Sequence, residues 1–193
     1  MKLNMKTLAV AFAFAANSAF AAPITNGKFT NGLEGWTVDG SVTLGSDTAG
    51  IHASLSGNRG PGVYTTLSQV LRLRAGDVFG GQAQFIAGDY LPYNDDAFLS
   101  IDGLNLFASN VAAVGNYGRT ALTGFTWTAA STGDYVLMMG VANRVDGAAP
   151  SSLLVRNFAV TSDVPEPGSC ALIGLGLLGA GVARRMAARN KTA

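Results

Sequence analysis

The chain has 193 residues, of which 48% are hydrophobic and 13% charged, and its formal net charge is +1. That charge is unevenly spread, because positions 22–166 contain all 12 acidic residues but only 7 of the 13 basic ones, a net of −5. An acidic region with scattered arginines lacks the clustered positive surface that phosphates need, so no nucleic-acid partner is expected. The single cysteine, Cys170, excludes an intrachain disulfide, so the core alone must stabilise the domain.

The first 21 residues have the layout of a secretory signal peptide. Two lysines precede the apolar residues 8–16, and Ala19-Phe20-Ala21 fits the small-x-small pattern that precedes a cleavage site. We expect cleavage after Ala21, with Ala22 as the alternative. The folded domain is then predicted to cover residues 22–163.

The middle of the chain indicates β-structure, because apolar and polar residues alternate at the period of two that strands show. Strands are predicted over 71–74, 78–86, 97–101, 104–107, 125–128, 135–141 and 153–160. Asp102-Gly103, between two of these strands, is a strong signal for a two-residue hairpin. Tyr135 and every second residue after it up to Val141 are predicted to share one face. No segment shows a convincing helical stripe, so we predict an all-β fold, an antiparallel β-sandwich of jelly-roll type.

Three segments carry a resemblance to a known group of folds. The residues Asn26-Gly27-Lys28-Phe29-Thr30 and Gly35-Trp36-Thr37-Val38, with the strand at 153–158, resemble carbohydrate-binding-module-like jelly rolls of galactose-binding-like topology. The resemblance implies a sandwich that contacts glycans. In the calcium-binding members of that group, a Glu and an Asp occupy the positions that Thr30 and Arg156 hold here. The resemblance therefore implies that this particular calcium site is lost.

A second acidic cluster follows the predicted strand at 78–86. Asp89, Asp95 and Asp96 offer carboxylate oxygens and are weak candidates for a Ca²⁺ site, although their spacing does not match an EF-hand loop. Asp and Asn are also common turn residues, because their side chains hydrogen-bond to their own backbone. We favour the turn interpretation and expect neither a metal nor another cofactor.

The same loop contains the best candidates for contact with a sugar. Tyr90 and Tyr93 flank a proline, and Asn94 and Asp95 follow as hydrogen-bonding groups. Tyrosines in a loop suit stacking on sugar rings, whereas the two tryptophans, Trp36 and Trp127, are expected mainly in the core. We therefore predict a ligand-binding set of these two tyrosines with the Asn and Asp that follow them.

Catalysis has little support in the sequence. His52, in a short segment expected at a strand edge, is the only histidine, and no G-x-S-x-G motif surrounds a serine. Asp95 and Asp96 are adjacent, so in a strand their side chains would point to opposite faces. We therefore predict that the protein is not an enzyme.

The C-terminal 30 residues, 164–193, have three parts. Pro165-Glu166-Pro167 precedes an uncharged run of 14 residues at 170–183, and Arg184 and Arg185 open a basic tail. A typical spanning helix needs about 20 residues. A shorter one can still span where the bilayer thins or arginines reach its surface, and we predict a short transmembrane helix at about 168–183. The alternative is a buried helix of a soluble domain.

This order of motif, apolar helix and arginine cluster resembles the PEP-CTERM sorting signal of Gram-negative bacteria. The resemblance implies an exosortase-type membrane protease as partner, a precursor anchored in the inner membrane by its C-terminal helix, and a mature form at the cell surface or outside the cell. We predict a non-catalytic surface or extracellular-matrix protein associated with exopolysaccharide. The alternative is a glycan-binding module with a defined sugar site, and a hydrolase is a distant third.

Processing gives the first testable prediction. A protease that recognises Pro165-Glu166-Pro167 cuts near that motif, because the prolines keep it out of a helix and accessible. Mass spectrometry of mature protein from the native host should therefore find a C-terminus that lacks Arg184 and Arg185. Recovery of mature chains that still end in these arginines would contradict the prediction.

Overall fold

The computed structural model describes residues 24–162 and, in the C-terminal segment, Gly176. The predicted signal peptide, the Pro165-Glu166-Pro167 motif, the predicted membrane helix and the arginine pair lie outside these described residues. Within the described part of the chain, no helix is both long enough and apolar enough to span a bilayer.

Residues 24–162 form two antiparallel sheets of five strands each. The strands are β1 (Thr37–Asp39), β2 (Ser41–Asp47), β3 (Gly50–Ser56), β4 (Thr65–Leu73), β5 (Val78–Ile86), β6 (Asp96–Ile101), β7 (Leu104–Asn110), β8 (Thr123–Thr128), β9 (Gly133–Ala142) and β10 (Ser152–Thr161), with one short helix, α1 (Val111–Val114). Sheet A has the order β1-β4-β9-β6-β7, and sheet B has the order β2-β3-β10-β5-β8. The predicted antiparallel β-sandwich is confirmed.

Alternation along the strands places the apolar face of each sheet in the core. In β9, Leu137, Met139 and Val141 are buried and Tyr135 is partly buried, whereas Met138 on the opposite face is exposed. The predicted shared face of this strand is confirmed. The hairpin between β6 and β7 is also as predicted.

The β6–β7 turn shows why its sequence was informative. Ile101 pairs with Leu104, so Asp102 and Gly103 alone form the turn. Their φ angles are 45° and 80°, and a two-residue turn with both φ values positive matches the twist of the flanking strands. Aspartate and glycine are among the residues that adopt such backbone at low cost.

A cluster of aromatic rings fills the core beside the N-terminal segment. Phe158 has ring contacts with Phe29, Trp36, Phe79 and Phe125, at centroid distances between 5.5 and 6.4 Å. The Phe158 N–H donates to the backbone oxygen of Gly27, and a Cβ at Gly27 would overlap Phe158. The N-terminal segment 26–36 therefore packs against the core, and Trp36 is buried there as expected.

A buried guanidinium joins β10 to the β2–β3 hairpin. Arg156, only 2% exposed, donates two hydrogen bonds of 2.6 Å to the two carboxylate oxygens of Asp47. The bond from Arg156 holds the pKa of Asp47 far below its usual range, and burial lowers the pKa of the neighbouring His52. The position where the resemblance placed a calcium ligand thus carries a cation that pairs with a carboxylate of the chain itself.

The Asp47–Arg156 pair predicts how the free energy of unfolding falls at acid pH. Because the folded-state pKa of Asp47 is lowered, the contribution of the pair to stability is complete above about pH 5 and is lost as the pH falls. Asp47→Asn should lower the melting temperature at neutral pH, since it leaves a buried guanidinium without its counter-charge. The variant should also lose less stability than the wild type between about pH 5 and pH 2.

Asp134→Asn is the matched control, because Asp134 pairs with Arg72 at 3.7 Å on the surface, where both side chains are mostly exposed. That change should alter the free energy of unfolding by no more than about 0.5 kcal/mol. Thermal unfolding of the three proteins across pH measures both effects. Equal melting temperatures for Asp47→Asn and the wild type at neutral pH would contradict the assigned role of the pair.

Candidate functional site

The sandwich has two unlike ends. We call the end where Ile86 of β5 pairs with Ser152 of β10 the upper end, and the end where Val78 pairs with Thr161 the lower end. The upper end carries the long connections 57–64, 87–95, 111–122 and 143–151. Loops on a rigid scaffold commonly carry binding residues, so the upper end is the first place to look for a site.

Three tyrosines form an exposed cluster at the upper end. The ring centroid of Tyr90 lies 5.3 Å from that of Tyr93 and 5.9 Å from that of Tyr117. Tyr90 is 42% exposed and Tyr117 is 61% exposed. We call these three residues the tyrosine cluster. The predicted ligand-binding set contains the first two members but not Tyr117, which belongs to a distant segment of the chain.

Backbone hydrogen bonds hold the tyrosine cluster in place. Asp89 is buried, and its side chain accepts from the N–H of Tyr90 at 2.8 Å while its backbone oxygen accepts from Tyr117 at 2.9 Å. The Tyr93 N–H donates to the backbone oxygen of Tyr90, and Asn116 accepts from the N–H of Leu91. Asp89, a weak metal candidate in the sequence, therefore organises the loop in the manner of a turn residue.

The two polar members of the predicted set have structural partners. Asp95 is only 1% exposed, and its two carboxylate oxygens accept from Ser151 Oγ at 2.7 Å and from the N–H of Arg144 at 3.1 Å. Burial raises the pKa of Asp95, and the bond from Ser151 opposes that shift. Asn94 accepts from the N–H of Ala112 at the start of α1. Asp95 is therefore not presented to a ligand, and we do not carry it into the proposed contact set.

A groove lies at the upper end of the outer face of sheet A. Its volume is about 460 Å³, and Tyr64, Asp96, Phe98, Asn105 and Asn110 are among the residues that line it. The rings of Tyr64 and Phe98 meet edge to face at 5.2 Å. A Cβ at Gly140 would come within 2.9 Å of the Phe98 ring, so the absence of a side chain there leaves room for both rings.

Tyr64 and Asp96 form one wall of this groove, and Arg144 bonds to both of them from outside the lining. Tyr64 donates to Asp96 at 2.6 Å, and Arg144 donates to the same carboxylate at 2.7 Å. The guanidinium also lies 5.2 Å from the centre of the Tyr64 ring. Burial and the neighbouring carboxylate raise the pKa of Tyr64 to about 12, so its hydroxyl stays protonated. The wall is polar but electrically balanced, and it suits a hydroxylated ligand better than a strongly charged one.

Sequence reasoning did not find this groove. Tyr64 and Arg144 lie 80 positions apart, and neither is in a segment that was predicted as a strand. Asp96, a weak metal candidate and one of the two adjacent carboxylates weighed for catalysis, is paired with Arg144 in the structure. Within residues 24–162, no three His, Cys, Asp or Glu side chains are grouped so that they could hold a metal ion.

The C-terminal segment gives the clearest comparison with known proteins. The described fold is an antiparallel sandwich whose last strand ends at Thr161, and the segment that follows is matched by a family model. Residues 163–185 match the PEP-CTERM protein-sorting motif, so the chain carries this motif, as its tail predicted. The motif marks an exported protein that is membrane-anchored before processing, and it implies recognition by an exosortase. No curated protein matches the chain.

Several solved structures are similar to the sandwich at low identity. TmCBM61, in complex with β-1,4-galactotriose, has a TM-score of 0.46 and 16% identity, and the match covers 75% of this chain and 100% of that one. The K3 cleaved adhesin domain of Lys-gingipain from Porphyromonas gingivalis w83 also has a TM-score of 0.46 and 16% identity, over 72% and 98%. A cyclase from Fischerella sp. TAU has a TM-score of 0.42 and 12% identity, over 76% and 100%. At these scores the likenesses carry no inference about ligand or activity.

The arrangement of the acidic side chains predicts that stability does not depend on calcium. Asp89 and Asp95 bond to their own chain, and Asp96 pairs with Arg144, so the loop needs no ion to neutralise it. Treatment with EDTA should leave the melting temperature of the domain unchanged, and added Ca²⁺ should not raise it. A drop of more than about 5 °C, roughly 1 kcal/mol for a domain of this size, would show that a structural ion is bound.

Proposed function

We infer that this protein is a non-catalytic surface or extracellular-matrix component that holds extracellular polysaccharide at the upper end of its sandwich. The single observation that carries the proposal is the tyrosine cluster, in which Tyr90 and Tyr117 expose their rings from two loops that are hydrogen-bonded to each other. The sorting motif supports it, because an exported chain processed by an exosortase-type protease is delivered to a place where such polymers occur.

The chemistry of the tyrosine cluster suits a sugar polymer. The face of an aromatic ring is electron-rich, so it attracts the C–H groups on the apolar side of a sugar ring. Each phenol hydroxyl can exchange hydrogen bonds with sugar hydroxyls. Tyr90, Tyr93 and Tyr117 form the proposed contact surface, and Asn94, in the same loop, is the proposed polar neighbour. A surface of this kind binds through shape and stacking and performs no bond cleavage.

The acidic side chains near the site support a non-catalytic role. A glycosidase needs two carboxyl groups that face one bond, one of them free to give a proton and the other free to attack or to activate water. Asp95 is buried in bonds to Ser151 and Arg144, and Asp96 is held by Tyr64 and Arg144. In the described part of the chain, neither of these two carboxylates is therefore free to act as the proton donor or as the nucleophile of a glycosidase.

The groove favours the second candidate, a glycan-binding module with a defined sugar site. Its volume of about 460 Å³ and its lining by Phe98, Asn105 and Asn110 would accommodate a few sugar residues. The two candidates differ in where recognition occurs. Loss of binding after changes in the groove, with the tyrosine cluster intact, would favour the defined site.

Replacement of exposed tyrosines tests the proposal directly. Native affinity electrophoresis in gels that contain exopolysaccharide from the native host should show retardation of the wild-type domain. The double variant Tyr90→Ala, Tyr117→Ala should bind roughly tenfold more weakly, a loss of about 1.4 kcal/mol. Aromatic side chains that the ligand covers on binding contribute most of the binding free energy in such contacts. Its melting temperature should stay close to that of the wild type, since Tyr90 is 42% exposed, Tyr117 is 61% exposed and neither ring belongs to the core.

Leu104→Ala is the matched control for this experiment. Leu104 is 57% exposed and follows the Asp102-Gly103 turn at the lower end, so its loss removes exposed apolar surface away from the tyrosine cluster. Binding should be unchanged. If the wild type is not retarded, or if the double variant is retarded as strongly as the wild type, the proposal is wrong.

A further inference from the structure

One side of the sandwich is left open, where β1 and β2 form edges of their sheets. β1 is an edge strand of sheet A, and β2 is an edge strand of sheet B. Gly40 alone connects the two strands, so both edges lie on the same side of the molecule. Within residues 24–162, β1 pairs with β4 alone and β2 pairs with β3 alone. We call this side, formed by the unpaired edges of β1 and β2, the open side.

Two apolar side chains that face the core are exposed on the open side. Val38 pairs with Leu67, and Leu44 pairs with Ala53. Both partners are fully buried, and directly paired residues place their side chains on the same face, so Val38 and Leu44 face inwards. They are nevertheless 39% and 40% exposed. No strand of the described residues lies beyond β1 or β2, so this core-facing apolar surface is left in contact with water.

β2 lacks the features that commonly protect an edge strand. Its seven residues, Ser41–Asp47, include no proline and no lysine, and its register with β3 contains no bulge. Proline, lysine, bulges and very short strands prevent an edge from pairing with another strand. Two other edges have such protection, because β1 has only three residues and the pairing of β7 with β6 contains a register shift.

The opposite edge of sheet B, β8, is better covered than β2. Phe125 and Trp127 are partly buried and pack against the core. The ring of Tyr135 meets the ring of Trp127 edge to face at a centroid distance of 5.1 Å. A strand that adds to β2 therefore buries core-facing apolar surface that a strand adding to β8 would not find.

The sequence of β2 is compatible with a second copy of itself. Leu44 is the central residue, so antiparallel pairing about it places Leu44 opposite Leu44 and Ser41 opposite Asp47. The only charged residue of the strand then faces a serine, and its carboxylate is already paired with Arg156. Alternate residues of a strand direct their N–H and C=O groups to its two sides, so the free groups of each β2 can bond to the other copy.

We propose that two copies of this chain associate through β2, antiparallel and about a two-fold axis at Leu44. The five strands of sheet B in each copy then form one continuous sheet. Because both sheets of a copy end on the open side, the same axis brings the two β1 strands together and covers Val38 as well as Leu44. Such a contact closes with two copies, whereas pairing of β2 with β8 of another copy would produce an open polymer.

The dimer does not depend on the proposed function, but it gives that function a consequence. The strands of sheet B run between the upper and lower ends, so antiparallel pairing inverts one copy relative to the other. The two tyrosine clusters then point in opposite directions. With polysaccharide bound at each cluster, a step that rests on the proposed function, one dimer links two separate polymer strands.

Disulfide capture tests the register of the dimer. The full chain is produced in its native host with Cys170→Ala, and a single cysteine replaces either Leu44 or, as the control, Thr126, which is exposed on β8. Directly opposed residues of antiparallel strands have Cα atoms about 4.5–5.5 Å apart, a separation that a disulfide can bridge. After mild oxidation of the exported protein, most of the Leu44→Cys variant should run as a dimer on a non-reducing gel. The Thr126→Cys variant should run as a monomer.

Analytical ultracentrifugation measures the association without an added cysteine. The exported wild type should sediment as a dimer. Leu44→Lys should sediment as a folded monomer, because it places two like charges at the axis, and Thr126→Lys should remain a dimer. A monomeric wild type, a dimeric Leu44→Lys or a Leu44→Cys variant that does not cross-link would overturn the proposal.

A mixture of Leu44→Cys and Thr126→Cys separates the closed dimer from an open polymer. A disulfide between the two variants would show pairing of β2 with β8 and would refute the two-fold contact. Polysaccharide binding is measured on the same samples by affinity electrophoresis. A dimer that does not bind polysaccharide would refute the proposed function alone, whereas a monomer that binds it would refute the dimer alone.

Discussion

A single buried carboxylate organises the upper end of this protein. Asp95 accepts hydrogen bonds from Ser151 and from the backbone of Arg144, and its backbone oxygen accepts from Val111. Ser151 in turn accepts from Gly88 through its hydroxyl. These bonds tie together the segments before β6, before β10 and at the start of α1. A hydrogen bond to a charged group contributes about 1.5–3 kcal/mol, so these bonds contribute substantially to the free energy that keeps the loops ordered.

The sandwich stabilises two of its buried charged groups, Arg156 and Asp95, in different ways. Arg156 is paired with one carboxylate, Asp47, in a two-bond geometry, and it lies in the middle of sheet B between β3 and β5. Among residues 24–162, no cationic side chain bonds to the carboxylate oxygens of Asp95, which accept from one hydroxyl and one backbone N–H. Acid weakens the first arrangement when the partly exposed Asp47 is protonated. The hydrogen bonds of Asp95 mainly fix the geometry of the loops that donate them.

Local signals predicted the parts of the fold that depend on local chemistry. The Asp102-Gly103 turn and the alternation in β9 were predictable, because turn geometry and pleat act over two to eight residues. β2 was missed, since as an edge strand rich in small polar residues it shows little alternation of burial. The pair of Tyr64 with Arg144 was missed, and Tyr117 stayed outside the predicted contact set, for another reason: their positions come from the sheet topology, which the sequence alone does not specify. Asp95 looked like a ligand contact because an acidic residue in a loop gives no local sign of whether it is buried.

The proposed mode of binding depends on how rigidly the exposed rings are held. Two exposed rings on two neighbouring loops bury little area, so a single site of this kind is expected to bind weakly. A ring that is already fixed before contact loses less conformational freedom on binding, so a rigid loop offsets part of that weakness. The bonds of Asp89 and Asp95 supply this rigidity at the upper end.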